Sequence, residues 1–209
     1  MAEGAAGQRD PDPIELLQGS QTFFPALVAA IDGARAEVRL ETYIFDFNGE
    51  AASVAAALER AGARGVATRV VVDGVGTDAL PPVWRQRFQA AAVQWSVFAP
   101  LGTMGLLLPS QWRRLHRKLC VIDGRVAFCG GINILDDYHD PHHGRLAQPR
   151  LDFAVRASGA LLSQAHEAMA QLWWRLQTAR DVRSHRFPQA FRKLRSGGLA
   201  LPWKGELGD

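Results

Sequence analysis

Cysteine is scarce in this chain of 209 residues, which contains two, Cys120 and Cys129. Two cysteines are too few for a disulfide framework and lack the paired spacing of a zinc site. Each lies in an apolar stretch, LCVID or VAFCGG, which is typical of a small core residue. The sequence therefore predicts neither a disulfide-stabilised domain nor a cysteine metal centre.

Long apolar runs are also missing. No uncharged apolar segment approaches the roughly 20 residues that cross a bilayer as a helix. The opening MAEGAAGQRDPDP lacks the basic and then apolar profile of a secretory signal. We therefore expect no signal peptide and no transmembrane helix, so that any contact with a membrane is made from its surface.

Acidic residues are absent from one short basic stretch. Its positive side chains, which fall within six residues, are Arg113, Arg114, Arg117 and Lys118. A second basic cluster is opposed by Asp181 alone and comprises Arg180, Arg183, Arg186, Arg192, Lys193 and Arg195. Such patches attract phosphate-bearing partners, either anionic lipid or nucleic acid. For the second cluster, a solvated basic surface is an equally good interpretation.

The apolar pattern of the first half predicts alternating helices and strands. Helices are predicted at 23–34, 50–61 and 83–92, and strands at 37–45, 66–73 and 94–99. This βαβαβ order favours an α/β fold with a mixed, largely parallel sheet flanked by helices. Residues 1–13 are small, polar and proline-bearing, which predicts a flexible tail, and residues 181–209 are basic and irregular.

The pattern changes after residue 100. Residues 102–109 form an apolar loop that suits either a lipid boundary or the core. Two short strands, 115–122 and 125–130, are joined at Asp123-Gly124, a strong hairpin signal. The remaining predicted elements are a strand at 151–157 and a long amphipathic helix at 159–178.

The most informative stretch is HRKLCVIDGRVAFCGGIN, residues 116–133. Alternate side chains of a strand share a face, so His116 and Lys118 should project together, about 7 Å apart. The imidazole can attack phosphorus while the ammonium group neutralises charge on the phosphoryl oxygens. Asp123 at the turn suits a supporting role.

The predicted hairpin brings a second group of residues back toward His116. Gly130 and Gly131 lack side chains, so their backbone N–H groups could approach an anion. Asn133 adds a side-chain amide donor. Together these groups predict a phosphate-binding site that needs no metal.

The spacing of these residues resembles the HKD signature of the phospholipase D superfamily. The residues that carry it are His116, Lys118, Asp123, Gly130, Gly131 and Asn133. The flanking segments ETYIF (41–45), RVVVDGVGT (69–77) and LDFAVRASG (151–159) resemble those of the N-terminal half of a bacterial cardiolipin synthase. The likeness identifies residues 14–180 as a phospholipase D-like catalytic lobe with one HKD motif.

The resemblance implies a cardiolipin synthase-like phosphatidyltransferase that uses no cofactor. His116 would form a covalent phosphohistidine, Lys118 and Asn133 would contact the phosphate, and Asp123 would support the motif. Glu41 and Asp152 are candidates for hydrogen bonds that hold these groups in place. The implied substrate is an anionic phospholipid such as phosphatidylglycerol, met by a peripheral enzyme at the cytoplasmic face of a bacterial inner membrane.

This family uses two HKD motifs, whereas none of the other five histidines here is followed by the required lysine and aspartate. The chain is therefore expected to need either a homodimer partner or a missing C-terminal half, the latter being favoured, and to be inactive as a monomer. An alternative is a phosphodiesterase or endonuclease that acts on nucleic acid as a dimer. A non-catalytic lobe that binds anionic lipid is a third possibility.

A histidine-rich segment, HDPHH, superficially resembles a metal site. It comprises His139, Asp140, His142 and His143. Because a proline interrupts it and its spacing is irregular, we expect contact with a lipid headgroup at the mouth of the active site, and no metal.

Overall fold

The computed structural model describes residues 14–77, 79–100, 113–140, 144–159 and 162–183. The predicted tail 1–13, the apolar loop 102–109 and most of the basic segment 181–209 lie outside these ranges. The chain divides into two compact units, residues 1–166 and 167–209. Within the part that is described, no helix combines the length and apolar character needed to span a bilayer.

Strands and helices alternate over the first half of the described chain, and hairpins follow. The strands are β1 (Ile14–Gln18), β2 (Glu37–Thr42), β3 (Ala67–Asp73), β4 (Gln94–Phe98), β5 (Leu119–Ile122), β6 (Val126–Gly130), β7 (His139–Asp140), β8 (Gly144–Arg145) and β9 (Phe153–Ser158). The helices are α1 (Gly19–Asp32), α2 (Ala51–Ala63), α3 (Pro82–Ala90) and α4 (Leu162–Arg183). Strand β1 was not predicted, and α4 ends beyond the expected lobe boundary at residue 180.

The main sheet has the strand order β1-β9-β6-β5-β2-β3-β4, and β7 pairs with β8 separately. The predicted α/β class, with a mixed sheet and flanking helices, is confirmed. Parallel pairing is nevertheless confined to β2-β3 and β3-β4, while the other neighbours in the main sheet are antiparallel. A parallel return needs a long crossover, which the tight turn between β5 and β6 cannot provide.

One face of the sheet forms the apolar core with α1 and α2. Val38 of β2 and Val70 of β3 are fully buried there together with Leu27, Ile31 and Leu58 of the helices. Alternation along β2 and β3 directs these side chains to the same side. Burial of each large aliphatic side chain contributes about 1.5–3 kcal/mol.

The opposite face of β2 carries buried charge. Glu37 binds Arg39 at 2.8 Å, His166 at 2.6 Å and also Arg69. Burial alone would raise the pKa of Glu37, but hydrogen bonds from Arg39 and His166 and the nearby arginine charges hold it below its ordinary value. The alternating strand predicted from the sequence is thus buried on both faces.

The two cysteines have different environments. Cys120 of β5 is buried in the core, and desolvation raises the pKa of its thiol above the ordinary value. Cys129 of β6 is exposed, so the prediction that both are core residues was wrong for this one. Alternation explains the difference, because Cys129 pairs with Leu119 and so faces away from the core side of Cys120.

Asp123 clamps the β5–β6 hairpin to the start of β2. It adopts a positive φ of 52° before Gly124 at 63°, as the two central residues of a type I′ turn do, and the Arg125 N–H closes this turn on the Ile122 carbonyl at 2.9 Å. Its carboxylate accepts backbone N–H groups of Arg35 at 2.9 Å and of Ala36 and Glu37 at 2.8 Å. Burial would raise the pKa of Asp123, but these three donors and Arg125 hold it below its ordinary value.

Candidate active site

His116 and Lys118 come together on the ring of Tyr43, just before β5 begins. The imidazole and phenol centroids are 4.8 Å apart, and Lys118 Nζ lies 5.8 Å from the phenol centroid. The intervening Arg117 turns the other way and places a guanidinium nitrogen 2.9 Å from Glu41. The predicted sharing of one face by residues 116 and 118 is therefore seen, although the strand itself starts later, at Leu119.

Asp73 anchors the chain that leads into this pair. Its fully buried carboxylate accepts the backbone N–H of Leu115 at 2.7 Å and that of Val75 at 2.8 Å. Arg114 approaches the same carboxylate at 3.6 Å. Because Leu115 is fixed at the end of β3, the following histidine has a defined position at that edge of the sheet.

Asn133 lies at the same end of the sheet, and its amide orientation is determined by its neighbours. Its side-chain oxygen accepts the backbone N–H of Ile44 at 3.1 Å and lies 3.5 Å from the Thr42 hydroxyl. A backbone N–H can only donate, so the oxygen must face Ile44. Among the described residues the NH₂ group has no hydrogen-bond acceptor, so it can donate to an anion.

Gly130 and Gly131 play a different part from the one predicted. Their backbone N–H groups donate to the carbonyls of Lys118 at 3.2 Å and Phe153 at 2.8 Å, so neither is available for phosphate in this structure. The site requires glycine at both positions because a side chain would not fit there. A Cβ on Gly130 would lie 2.4 Å from the backbone of Ala154.

Gly131 leaves room for Asp152. A Cβ at position 131 would lie 1.9 Å from the nearer Asp152 carboxylate oxygen, which accepts the backbone N–H of Phe153 at 2.8 Å. Asp152 in turn acts on Lys118: burial lowers the pKa of that ammonium group, and the Asp152 charge opposes the shift. The predicted supporting residue Asp152 therefore acts on the lysine through its charge.

We expect Gly131→Ala to destabilise the fold, because the added methyl group overlaps the Asp152 carboxylate. Overpacking of this kind costs about 1–3 kcal/mol. Gly33→Ala is the matched control, since Gly33 has an ordinary φ of −79° and its Cβ would find its nearest neighbour at 3.4 Å. Urea unfolding of both variants measures the difference, and equal stabilities would contradict this account of Gly131.

Asp123 and Glu41, two other predicted site residues, do not touch His116 or Lys118. Asp123 follows β5 whereas His116 precedes it, so the aspartate supports the hairpin at its far end. Glu41 is 1% exposed and binds Arg117, which lies between His116 and Lys118 in the chain. Within the ranges that the structure describes, neither Glu41 oxygen makes a well-directed hydrogen bond.

Glu41 should make stability depend on pH. Burial raises the pKa of Glu41 to about 7 against the opposing charges of Arg117 and Arg39. Above about pH 4.5 the Glu41 carboxyl therefore keeps its proton in the folded chain but loses it in the unfolded chain. The free energy of unfolding consequently falls as the pH rises from about 4.5 to about 7. The fall attributable to this group is at most about 3 kcal/mol.

We expect Glu41→Gln to remove this fall, because glutamine cannot release the proton. Urea unfolding at about pH 5 and about pH 8 measures it in both proteins. Glu167→Gln, at an exposed position of α4, is the control and should retain the pH dependence of the parent chain. An undiminished fall in Glu41→Gln would assign the effect to another group.

Tyr43 is the residue that sequence reasoning missed. The Thr77 hydroxyl donates to the Tyr43 carbonyl at 2.9 Å and accepts the Phe45 N–H at 3.1 Å, which fixes the segment after β2. Gly76 allows the phenol ring to pack closely, since a Cβ there would lie 2.8 Å from ring carbons. The available signal was its position just beyond the carboxyl end of a parallel strand, where α/β sheets bind ligands.

The histidine-rich segment is only partly described. His139 and Asp140 form β7, whereas His142 and His143 lie outside the described residues. Across the described ranges, no three histidine, cysteine, aspartate or glutamate side chains are grouped as a metal would require.

Similar proteins were found by sequence. A family profile described as "Cardiolipin synthase, PLD-like domain" matches residues 27–143, more than half of the chain. Cardiolipin synthase B of Salmonella typhi is 31% identical over 188 residues, covering 86% of this chain and 45% of the relative. Cardiolipin synthase A of Pseudomonas putida (strain GB-1) is 33% identical over 161 residues, covering 77% and 33%. The chain thus spans less than half the length of these relatives.

Similar folds occur in solved structures. The phospholipase D family member Nuc from Salmonella typhimurium aligns with a TM-score of 0.54 at 17% identity, over 78% of this chain and 94% of that one. NucT from Helicobacter pylori gives 0.54 at 13% identity, over 77% and 94%. The profile match encloses His116, Lys118 and Asn133, and these structures share the fold around them. The chain belongs to the PLD-like domain family of the cardiolipin synthases.

Proposed function

We propose that this chain is one catalytic lobe of a phosphatidyltransferase of the cardiolipin synthase type. The observation that carries the proposal is the grouping of His116 and Lys118 on Tyr43, with the amide of Asn133 at the same end of the sheet. An exposed nucleophile next to a cation and an amide donor suits an anionic phosphodiester. The family relationship supports the lipid as donor.

In the first step, an imidazole nitrogen of His116 attacks the phosphorus of the donor phospholipid. A phosphorus–nitrogen bond forms, the phosphorus–oxygen bond to the headgroup alcohol breaks, and the alcohol leaves with a proton from a second histidine. In the second step, an acceptor alcohol gives its proton to that histidine and displaces His116. Lys118 and Asn133 stabilise the negative charge on the phosphoryl oxygens in both steps.

The second histidine comes from outside this lobe in our proposal, because none of the other histidines here is followed by the lysine and aspartate of the motif. We propose that it belongs to the remaining half of a longer enzyme, since the chain spans less than half of its relatives, or to a second copy of this chain in a homodimer. The isolated monomer is then inactive. The assembled enzyme works as a peripheral protein at the cytoplasmic face of the inner membrane, where the exposed Arg113 favours anionic lipid.

Covalent trapping tests the proposal. The assembled enzyme is mixed with phosphatidylglycerol labelled at phosphorus and quenched in alkaline denaturant, because acid hydrolyses a phosphorus–nitrogen bond to histidine. Label on the peptide that contains His116 is expected. Turnover of the lipid without label at His116, under conditions that trap a known phosphohistidine, would overturn the mechanism.

A second candidate function is hydrolysis of nucleic acid by a dimer, with water as the acceptor. It is favoured by one observation: the Nuc and NucT chains are each covered to 94% and so have the size of a single lobe. Incubation of the dimer with phosphatidylglycerol and, separately, with plasmid DNA distinguishes the two functions. Cleavage of DNA without turnover of lipid would favour this candidate.

A further inference from the structure

One buried carboxylate joins two segments of the chain beside His116. Asp73, the last residue of β3, is fully buried. Its Oδ1 accepts the backbone N–H groups of Val75 at 2.8 Å and Gly76 at 3.2 Å, whereas its Oδ2 accepts that of Leu115 at 2.7 Å. One oxygen therefore holds the turn after β3, and the other holds the residue that precedes His116.

The turn after β3 supports the ring against which the His116 imidazole packs. A Cβ on Gly76 would lie 2.5 Å from the Tyr43 carbonyl oxygen and 2.8 Å from its ring carbons, so this turn contacts the tyrosine closely. The Thr77 N–H donates to the Asp73 carbonyl at 3.1 Å, and the Thr77 hydroxyl donates to the Tyr43 carbonyl at 2.9 Å. The Tyr43 ring in turn lies 4.8 Å from the imidazole, measured between centroids.

Arg114 adds a positive charge to this arrangement. Its Nη1 lies 3.6 Å from Asp73 Oδ1 and donates to the Ala99 carbonyl at 3.2 Å. Hydrogen bonds to an ionised carboxylate are stronger than those between neutral groups, and burial strengthens them further. The Asp73 carboxylate can therefore define the positions of both segments that it holds.

We propose that Asp73 is a positioning residue for His116: it sets the imidazole against the Tyr43 ring and so directs the attacking nitrogen toward phosphorus. The inference rests on the proposed function, to which it adds a residue outside the reacting groups. Such placement matters because a displacement of about 1 Å can lower the rate of an enzyme about a hundredfold.

Asparagine at position 73 separates the two segments. Its amide has one oxygen acceptor and one NH₂ donor, whereas both segments present N–H groups to Asp73. Whichever way the amide turns in Asp73→Asn, either the turn after β3 or Leu115 loses its acceptor. Loss of the first releases the support of Tyr43, and loss of the second releases the backbone that carries His116.

Asp123 offers a matched comparison in the same part of the sheet. It too accepts three backbone N–H groups, those of residues 35–37, but it follows β5 whereas His116 precedes that strand. Asp123→Asn therefore makes the same chemical change in a similar carboxylate at the far end of β5. A general loosening of the sheet would disturb the imidazole in both variants.

NMR spectroscopy of the chain itself measures the position of the imidazole. With histidine and tyrosine labelled isotopically, the wild type should show a nuclear Overhauser effect between the His116 imidazole and the Tyr43 ring. Asp73→Asn should lose this signal, whereas Asp123→Asn should retain it. His116→Ala assigns the signal, because it removes the imidazole.

Kinetics of the assembled enzyme measure the consequence for the reaction. Asp73→Asn should lower kcat about tenfold to a hundredfold and change KM for phosphatidylglycerol less than about twofold, because Lys118 and Asn133 still bind the phosphate. Val54→Ala is the control for lost stability, since it opens a cavity at a fully buried position of α2. It should keep the kcat of the wild type.

Several results would contradict the positioning role. A folded Asp73→Asn that keeps the nuclear Overhauser effect would overturn it, and so would an unchanged kcat. Equal losses of kcat in Asp73→Asn and Val54→Ala would overturn it as well, because they would reflect lost stability alone. If Asp73→Asn does not fold, Gly76→Ala replaces it: the added methyl group overlaps Tyr43 and should abolish the same signal and lower kcat as much.

The positioning role and the proposed function can fail separately. If the wild-type enzyme is labelled at His116 and Asp73→Asn is labelled at the same rate, the positioning role alone is overturned. If the wild-type enzyme is never labelled there, the proposed mechanism is overturned. The NMR comparison of Asp73→Asn with Asp123→Asn then decides by itself whether Asp73 places the imidazole.

Discussion

Replacing His116 by alanine is expected to lower the rate of phosphatidyl transfer by the assembled enzyme at least about a thousandfold. Alanine removes the atom that forms the covalent bond to phosphorus, so the variant has no nucleophile at position 116. The residual rate reports only binding and charge stabilisation by the remaining groups.

Lipid product formed per minute measures this loss, and thermal unfolding verifies that the variant is folded. His185→Ala is the control, because His185 lacks the lysine and aspartate of the motif. Activity of His116→Ala above about a tenth of the wild-type rate would show that another residue is the nucleophile. Full activity of His116→Ala together with retained lipid binding would instead indicate that this lobe binds lipid without taking part in catalysis.

The His116→Ala substitution also distinguishes a homodimer of this chain from a longer enzyme that contains both halves. If two copies of this chain form one shared active site, a mixed dimer of wild-type and His116→Ala chains has only one of the two active-site histidines. It should then be as inactive as the doubly substituted dimer. If the second histidine belongs to a C-terminal half of the same protein, mixing substituted and wild-type enzymes leaves the wild-type molecules at full activity.

Lys118→Met should reduce kcat/KM about a hundredfold to a thousandfold. Methionine preserves much of the length and apolar character of the lysine stem but removes the charge that opposes the phosphoryl oxygens. The half-buried position of Lys118 strengthens that charge, because its interaction with an anion is less screened than in water. The negative charge of Asp152 opposes the lowering of the Lys118 pKa by burial.

Steady-state kinetics with phosphatidylglycerol vesicles measure this effect. Arg85→Met is the matched control: it removes one positive charge from α3, where Arg85 is exposed and bonds the Leu80 carbonyl. A general loss of attraction to the anionic membrane would affect both variants alike. An equal reduction in the two would therefore contradict a specific role for Lys118.

The sequence predicted the parts of the fold that follow from local apolar patterns. The βαβαβ region was correct because Val38 and Val70 lie on faces whose alternation is visible in the sequence. The balance of parallel and antiparallel pairing was misjudged, because it depends on which strands become neighbours after the Asp123-Gly124 turn. Strand β1 was missed because its pairing with β9 is a long-range contact that no local pattern reveals.

The candidate site could be predicted only where spacing determines geometry. His116 and Lys118 share a face because alternation in an extended chain requires it. The glycines were assigned to phosphate because the lack of side chains would let their N–H groups approach an anion, whereas these groups are bonded to the carbonyls of Lys118 and Phe153. Tyr43 was missed for the same reason, since its contact with His116 joins residues that are far apart in the chain.

The exposed thiol of Cys129 makes the unmodified chain suitable for spectroscopy. The other thiol, Cys120, is buried and hard to ionise, so a maleimide dye or a nitroxide reagent would attach at one defined place. That place immediately precedes the glycine pair and faces Leu119, the residue after Lys118. A reporter there would follow the arrival of lipid or of a companion domain in real time, with no engineered substitution.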